Sequence, residues 1–181
     1  MKTLVIHPAD ESTDFLKEIY RGKDWTVMTD QLSKKNVIEQ IQLHDRIIMM
    51  GHGHPGGLFY SPINSELVYL LKEKQCVCIW CNADKFVERY KLNGFYTGMF
   101  ISEVGEAAYY GIKVSQGTID RSNRDFAFEM RLCLDHDDPK DIYEEVKSTY
   151  VGMHEVYQFN NDRLYYRDEK NVLTDMKLLI N

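Results

Sequence analysis

The sequence predicts an α/β fold, a three-layer α-β-α sandwich with a mostly parallel sheet and a C-terminal hairpin. Short apolar runs alternate with helical patterns through about the first 115 residues, which is typical of parallel strands joined by crossover helices. The third run, 45–50, is apolar after a charged start, as expected for a central strand covered on both faces. A length of 181 residues suits one domain, with the core in 1–115 and the C-terminal helices and hairpin in 116–181.

Each expected strand is an apolar run that ends at turn or cap residues. The first strand stops at Pro8, and Asp10 or Ser12 can cap the helix that follows. Ser33 and Ser65 are the expected caps of the next two crossover helices. The expected strands are 2–7, 25–29, 45–50, 75–80 and 107–114, and the expected helices between them are 10–20, 33–41, 65–71, 86–92 and 96–104.

After the fifth strand the sequence changes to two helical patterns, at 122–134 and 139–150. Pro139 suits the first position of the second helix, where its missing N–H is not needed. Two aromatic-rich runs, 153–159 and 163–167, then flank an Asn-Asn-Asp segment of turn composition. This arrangement predicts the C-terminal hairpin.

Charge and hydropathy exclude several classes of partner. The net charge is -6 at pH 7 and the longest basic run is Lys34-Lys35, so we expect no nucleic-acid partner. The N-terminal apolar stretch is far shorter than a membrane span of about 20 residues, so we expect no membrane partner and a cytoplasmic location. Three of the four cysteines crowd into 76–81, a spacing that disfavours a disulfide framework and fits a reducing compartment.

Chemistry-bearing side chains follow the third and fourth strands. His52 lies in a glycine-rich loop after 45–50, and Cys81 comes directly after 75–80. The carboxyl ends of parallel strands form the crevice in which ligands bind, and neighbouring strands are about 4.8 Å apart. An imidazole beside a thiol can act as its base, and the N–H groups of Gly53 and Cys81 are candidate donors to an oxyanion.

Three segments carry a family resemblance: an apolar strand that ends in Gly51-His52-Gly53, a second that ends in Cys81, and the Gly- and Ala-rich segment 98–111. Together they resemble the caspase-haemoglobinase clan of cysteine peptidases, and most of all its bacterial CHAT and caspase-like members. The resemblance implies a caspase-like sheet of Rossmann type and a peptide or protein substrate, without a cofactor. It also implies that His52 and Cys81 form the catalytic dyad, with Gly53 and Cys81 as oxyanion donors.

Further side chains are expected around this pocket. Trp80 and Asp84 flank the cysteine, and a carboxylate close to a thiol raises the pKa of that thiol. Asp84 and Asp120, as acidic residues near the expected rim, would favour a basic substrate. The complete set of expected pocket residues is His54, Tyr60, Trp80, Asp84 and Asp120.

Two other functions fit the same residues. The chain is alternatively a non-catalytic α/β domain of this fold, or a nucleotide or small-ligand binding module that uses the backbone N–H groups of the glycine-rich loop 51–57. A zinc site formed by His52 and His54 with Cys81 or Asp84 is a weaker alternative, because no spacing ties a further ligand to it.

Overall fold

A mostly parallel sheet forms the middle layer of the structure, a computed structural model that describes residues 1–168. The strands are β1 (Thr3–Ile6), β2 (Thr26–Met28), β3 (Arg46–Met50), β4 (Gly53–His54), β5 (Gly57–Leu58), β6 (Gln75–Ile79), β7 (Asn93–Thr97) and β8 (Leu164–Arg167). Across the described residues the main sheet has the order β2-β1-β3-β6-β7-β8, in which only β8 runs antiparallel to its neighbour. β4 and β5 form a separate small hairpin after β3.

Helices cover both faces of this sheet. They are a 3-10 helix (Glu11–Leu16), α1 (Lys17–Tyr20), α2 (Lys34–Leu43), α3 (Val68–Leu71), α4 (Ala83–Tyr90), α5 (Val104–Tyr109), α6 (Gln116–Cys133), α7 (Pro139–Thr149) and α8 (Glu155–Asn161). Within residues 1–168, none of them is long and apolar enough to cross a membrane.

Two buried clusters show the three-layer arrangement, because side chains alternate between the faces of each strand. On one face, Ile48 and Ile79 pack with the apolar residues of α6 and α7. On the opposite face, Ile47 and Cys78 pack with residues of α2, α3 and α4. The predicted α/β sandwich is therefore confirmed, and burial on both faces explains why β3 reads as a continuous apolar run.

Several predicted helix starts agree with the structure. Asp10 caps the 3-10 helix, since its carboxylate accepts from Ser12 N, and Ser33 caps α2 in the same way. Pro139 occupies the first turn of α7, after the cap Asp138. The predicted cap Ser65 is wrong: the helix there begins only at Val68, after a turn.

The predictions for 96–104 and 107–114 are wrong, because the strand and the helix are exchanged. β7 lies at Asn93–Thr97, and the helix α5 follows at Val104–Tyr109. Gly94 explains the position of the strand: at φ +143, an added Cβ would lie 1.6 Å from Cys76 O. A capping box of Glu103 and Glu106 begins α5.

The C-terminal antiparallel strand pair forms, but its partner differs from the predicted one. β8 pairs with β7, with Thr97 opposite Leu164, whereas the expected first hairpin strand, 153–159, falls largely within α8. Asn160 lies at the end of that helix instead of in a turn. Its side chain bonds both Ile101 N at 2.7 Å and Ile101 O at 3.0 Å, so tertiary contacts use the amide that the sequence assigned to a turn.

Candidate active site

His52 and Cys81 occupy equivalent positions at the ends of neighbouring strands. Met50 pairs with Ile79 in register, and Gly51 N donates to Ile79 O at 3.1 Å. The side chains of Met50 and Ile79 lie in the same core cluster, so His52 and Cys81, each two residues further along, emerge on that same face. Both residues line one cavity of about 30 Å³. Strand register thus brings His52 and Cys81 to one cavity.

The His52 imidazole contacts residues that follow β1, the strand beside β3. Its Nε2 lies 2.6 Å from Ser12 Oγ and 3.8 Å from Asp10 Oδ1. Ser12 Oγ donates to Asp10 Oδ1 at 2.5 Å, and the backbone N–H of Ser12 donates to the same oxygen. These two hydrogen bonds from Ser12 are the main reason that the pKa of Asp10 is lowered. Asp10 is therefore an ionised carboxylate that binds Ser12.

This geometry assigns the ring nitrogens of His52. Because the Ser12 hydroxyl donates its hydrogen bond to Asp10, the Ser12 oxygen is left to accept a hydrogen bond from Nε2–H. A neutral imidazole protonated on Nε2 keeps its lone pair on Nδ1. Nδ1 makes no hydrogen bond to any residue in 1–168, so it is the nitrogen available to take a proton.

Cys81 lies in a sharp turn between β6 and α4. The next residue, Asn82, has a left-handed backbone with φ 64, a conformation that asparagine tolerates better than most residues. The Cys81 thiol donates to Phe100 O at 3.5 Å and contacts Glu106 Oε1 at 3.8 Å. Burial, and next the Glu106 carboxylate, raises the pKa of Cys81 to about 11. The resting group near pH 7 is therefore a protonated thiol.

His52 and Cys81, the expected dyad, line one cavity. Within residues 1–168, no hydrogen bond joins the two side chains. His52 is held by Ser12, and Cys81 is held by Phe100 and Glu106. For the pair to react, the Cys81 proton would have to pass to His52 although each side chain is held by other groups. The carboxylates that raise the thiol pKa are Glu106 and, less strongly, Glu103, instead of the expected Asp84.

Of the two expected oxyanion donors, Cys81 lines this cavity and Gly53 does not. Gly53 faces Leu58 in the small hairpin, and Phe59 N donates to His52 O at 2.9 Å beside that pair. Gly53 and Leu58 are therefore a non-hydrogen-bonded pair, which leaves the Gly53 N–H outside the hairpin ladder. The Cys81 N–H donates to no backbone carbonyl in the described part of the chain.

Trp80, one of the expected pocket residues, lines the cavity of His52 and Cys81. Its indole is on the opposite face of the sheet, 2% exposed, and its Nε1 donates to His54 O at 3.2 Å. An added Cβ on Gly53 would lie 2.3 Å from Trp80 Cδ1, so the His52 loop packs directly on the indole. Trp80 thus packs against the His52 loop from the opposite face of the sheet.

The other expected pocket residues separate in space. His54 is exposed and packs on Phe59, with ring centroids 4.9 Å apart, and Tyr60 is 77% exposed. The Asp84 carboxylate acts on Tyr96 and Tyr165, whose pKa values it helps to raise, and its Oδ1 is buried without a hydrogen-bond partner. None of these residues lines the cavity of His52 and Cys81, and no three His, Cys, Asp or Glu side chains converge as a metal site within 1–168.

Asp120 lies in a larger groove next to the thiol cavity. This groove runs between the 3-10 helix, the start of α5 and the first half of α6, and its volume is about 670 Å³. Phe15 and Ser102 line both the groove and the cavity, so the two are adjacent. We refer to it as the α5–α6 groove. It is large enough for a substrate side chain, whereas the cavity itself holds about one water molecule.

Sequence reasoning missed the side chains that contact His52 and Cys81. Asp10 and Ser12 were expected only as helix caps, and Glu106 was placed in or next to a strand. A usable signal existed for the first two, because the loop after any parallel strand reaches the same edge of the sheet as His52 and Cys81. For Glu106 the signal was its spacing from Glu103, which fits a capping box.

Comparison with known proteins adds no further assignment. No family model, curated protein or solved structure matches the chain.

Proposed function

We propose that the protein is a cysteine hydrolase of caspase-like type that cleaves peptide or protein substrates. The observation that carries this proposal is the placement of His52 and Cys81 at matched register, on one face of the sheet and in one cavity. Ligands bind at the carboxyl ends of adjacent parallel strands, so a histidine and a cysteine at these ends are candidates to act on a ligand. A cytoplasmic location, expected from the sequence, would keep the thiol reduced.

The proposed reaction has two halves. His52 Nδ1 takes the Cys81 proton while Sγ attacks the substrate carbonyl carbon, and the backbone N–H groups of Gly53 and Cys81 receive the developing oxyanion. The C–N bond breaks, the leaving amine takes the proton from His52, and a thioester on Cys81 remains. Water then attacks the thioester with His52 as base, releases the carboxylic acid and restores the thiol.

The raised pKa of Cys81 restricts how this reaction begins. A thiol with a pKa of about 11 carries almost no thiolate at pH 7, so the proton leaves during attack instead of before it. Asp10 and Ser12 support this step, because Asp10 orients the Ser12 hydroxyl and Ser12 Oγ accepts from Nε2–H, which keeps Nδ1 free. They are positioning residues for the His52 base.

A second candidate is a non-catalytic domain of the same fold. It is favoured by the burial of Cys81 and by its contact with Glu106, which together stabilise the thiol over the thiolate. In that case Cys81 would act as a packing residue beneath the 100–106 segment. The two candidates differ in whether His52 controls the reactivity of Cys81.

Labelling with peptidyl acyloxymethyl ketones separates the two candidates. These electrophiles bind as substrates do and alkylate a cysteine that a neighbouring base activates. We expect the wild type to be labelled at Cys81, Cys81→Ala to be unlabelled there, and His52→Ala to react about 100-fold more slowly. Cys133→Ala, which removes a buried thiol in α6, is the matched control and should react like the wild type.

The result that would overturn the hydrolase proposal is equal labelling of the wild type and His52→Ala. Labelling at a cysteine other than Cys81 would have the same consequence. Circular dichroism and thermal unfolding of each variant would show whether a loss of labelling has a folding cause.

A further inference from the structure

We propose that Thr97 is a positioning residue that orients the Cys81 N–H as a donor to the oxyanion. This inference rests on the proposed hydrolase function, since it concerns a donor of that same site. Thr97 is the last residue of β7 and is fully buried. Its hydroxyl donates to Trp80 O at 3.0 Å. Thr97 therefore holds the peptide group whose other end is the Cys81 N–H.

The strand order fixes the direction in which this peptide group points. β6 lies between β3 and β7. Ile79 O points toward β3, where it accepts a backbone N–H, and the next carbonyl, Trp80 O, points toward Thr97 on β7. The C=O and N–H of a planar trans peptide point in opposite directions, and the described residues contain no cis peptide bond. The Cys81 N–H is therefore directed toward β3, the strand whose following loop carries His52.

The turn after β6 supplies only one of the two hydrogen bonds that Trp80 O accepts. Ala83 N donates to this oxygen at 3.2 Å and closes a turn with Cys81 and Asn82 at its centre. Thr97 Oγ1 is the second donor. Because a carbonyl oxygen accepts near the plane of its peptide group, two donors define that plane, whereas one donor leaves it free to tilt. The Thr97 hydroxyl thus adds the contact that the local turn lacks.

A fixed orientation of the Cys81 N–H matters for the proposed reaction. Donors that need no reorganisation stabilise an oxyanion more than donors that must first turn toward it. The Cys81 N–H donates to no backbone carbonyl within residues 1–168, so a substrate oxygen can accept from it. Thr97 does not line the cavity of the thiol. Loss of its hydroxyl should therefore weaken the binding of an oxyanion and leave the reactivity of the thiol unchanged.

The test compares Thr97→Val, which keeps the shape of the side chain and removes the donor, with Thr97→Ser, which keeps a hydroxyl. The probes are acetyl-Leu-Leu peptide aldehydes that end in argininal, norleucinal or aspartal. Cys81 Sγ adds to the aldehyde carbon, the thiol proton passes to His52, and the aldehyde oxygen becomes the oxyanion. We expect an aldehyde that binds the wild type to bind Thr97→Val about tenfold more weakly, and Thr97→Ser about as tightly as the wild type.

Two controls separate positioning from a general disturbance of the site. Iodoacetamide alkylates a thiol without forming an oxyanion, so it should modify Cys81 at the same rate in the wild type and in both Thr97 variants. Thr3→Val makes the same substitution at a buried position in β1 and should leave the aldehyde affinity unchanged. A parallel fall of aldehyde affinity and iodoacetamide rate in Thr97→Val would overturn the positioning role.

The residual dipolar coupling of the Cys81 N–H measures its orientation without any substrate. We expect this coupling to change in Thr97→Val and to return to the wild-type value in Thr97→Ser. An unchanged coupling in Thr97→Val would show that the turn alone orients the peptide group, and it would overturn the inference.

The outcomes distinguish this inference from the proposed function. If an aldehyde binds Cys81 equally tightly in the wild type and in Thr97→Val, the hydrolase proposal stands and the positioning role is overturned. If no aldehyde binds Cys81 in the wild type, the hydrolase proposal fails. The dipolar couplings then decide by themselves whether Thr97 orients the Cys81 N–H.

Discussion

Ser12 Oγ lies 2.6 Å from His52 Nε2, although 40 residues separate them in the sequence. The contact forms because β1 and β3 are parallel neighbours, so the loops that follow them meet at one edge of the sheet. Asp10 completes the arrangement by accepting a hydrogen bond from the Ser12 hydroxyl. A carboxylate, a hydroxyl and an imidazole are thereby connected beside Cys81.

Replacing Ser12 should change the protonation pattern of His52. In the wild type we expect the tautomer with a proton on Nε2, because Ser12 accepts from it. Ser12→Ala should give a mixture of both tautomers. Peptidyl acyloxymethyl ketones should then label Cys81 about tenfold more slowly, since the His52 imidazole is no longer held in one orientation. Long-range 1H–15N NMR spectra of the imidazole measure the first effect.

Two further variants control this measurement. Ser12→Thr keeps the hydroxyl and should restore the wild-type spectrum, and Ser33→Ala removes the cap of α2 without touching the site. An unchanged His52 spectrum in Ser12→Ala would contradict the positioning role.

The pH dependence of Cys81 alkylation should depend on Glu106. The rate of modification by iodoacetamide follows the thiolate fraction, so its midpoint in the wild type should lie near pH 11. Glu106→Gln removes the nearby negative charge, which lowers the thiol pKa and should speed modification at pH 8. Peptide mapping by mass spectrometry identifies Cys81, and Glu144→Gln on α7 serves as the control. A profile that does not move in Glu106→Gln would refute this coupling.

His7 should make the protein less stable in mild acid. Burial is the main reason that the pKa of His7 falls from 6.5 to about 4, and its ring nitrogens lie 3.1 Å from Tyr20 OH and 3.1 Å from Thr13 Oγ1. Between these two values the unfolded chain binds more protons than the folded one. The free energy of unfolding therefore decreases as the pH falls through this window, by on the order of 3 kcal/mol in total.

His7→Gln removes this titration and should flatten the dependence between pH 7 and pH 4. Urea unfolding at a series of pH values measures it for both proteins. If the wild type and His7→Gln lose stability in parallel, burial of a neutral His7 is not the cause.

Gly94 should tolerate no side chain. Its φ of +143 is unfavourable for other residues, and an added Cβ would lie 1.6 Å from Cys76 O in the neighbouring strand. We expect Gly94→Ala to lower the free energy of unfolding by more than about 3 kcal/mol. Gly117→Ala in α6 meets no atom within 4 Å and should instead stabilise by about 0.5 to 1 kcal/mol. Chemical denaturation compares the two, and a mild effect at Gly94 would show that β6 and β7 can separate.

Local patterns were sufficient for the inner strands and for the positions of His52 and Cys81. β1, β3 and β6 are apolar runs bounded by turn residues, and such runs are formed by neighbours in the sequence. The alternation of strand and helix then implied that His52 and Cys81 lie at one edge of a parallel sheet. Both inferences use short-range information that the amino-acid sequence contains.

The secondary structure of the segment from β7 to α5 could not be predicted from local patterns. Tyr96 lies in an apolar and aromatic run that suits a helix or a strand equally, and the run became a strand because Gly94 allows close approach to β6. Likewise, 153–159 has the aromatic content of a strand, yet most of it lies in α8, where Asn160 bonds the distant Ile101. A short apolar run fits either a helix or a strand, and tertiary packing determines which of the two forms.

The sequence by itself therefore determined the α/β class, the inner strands and the positions of His52 and Cys81 at strand ends. Only the tertiary structure decided which groups contact them: Ser12 and Asp10 on the imidazole, and Glu106 and Phe100 on the thiol. The physical reason is that hydrogen bonds and burial depend on distances between elements far apart in the chain, and strand order and helix packing set those distances.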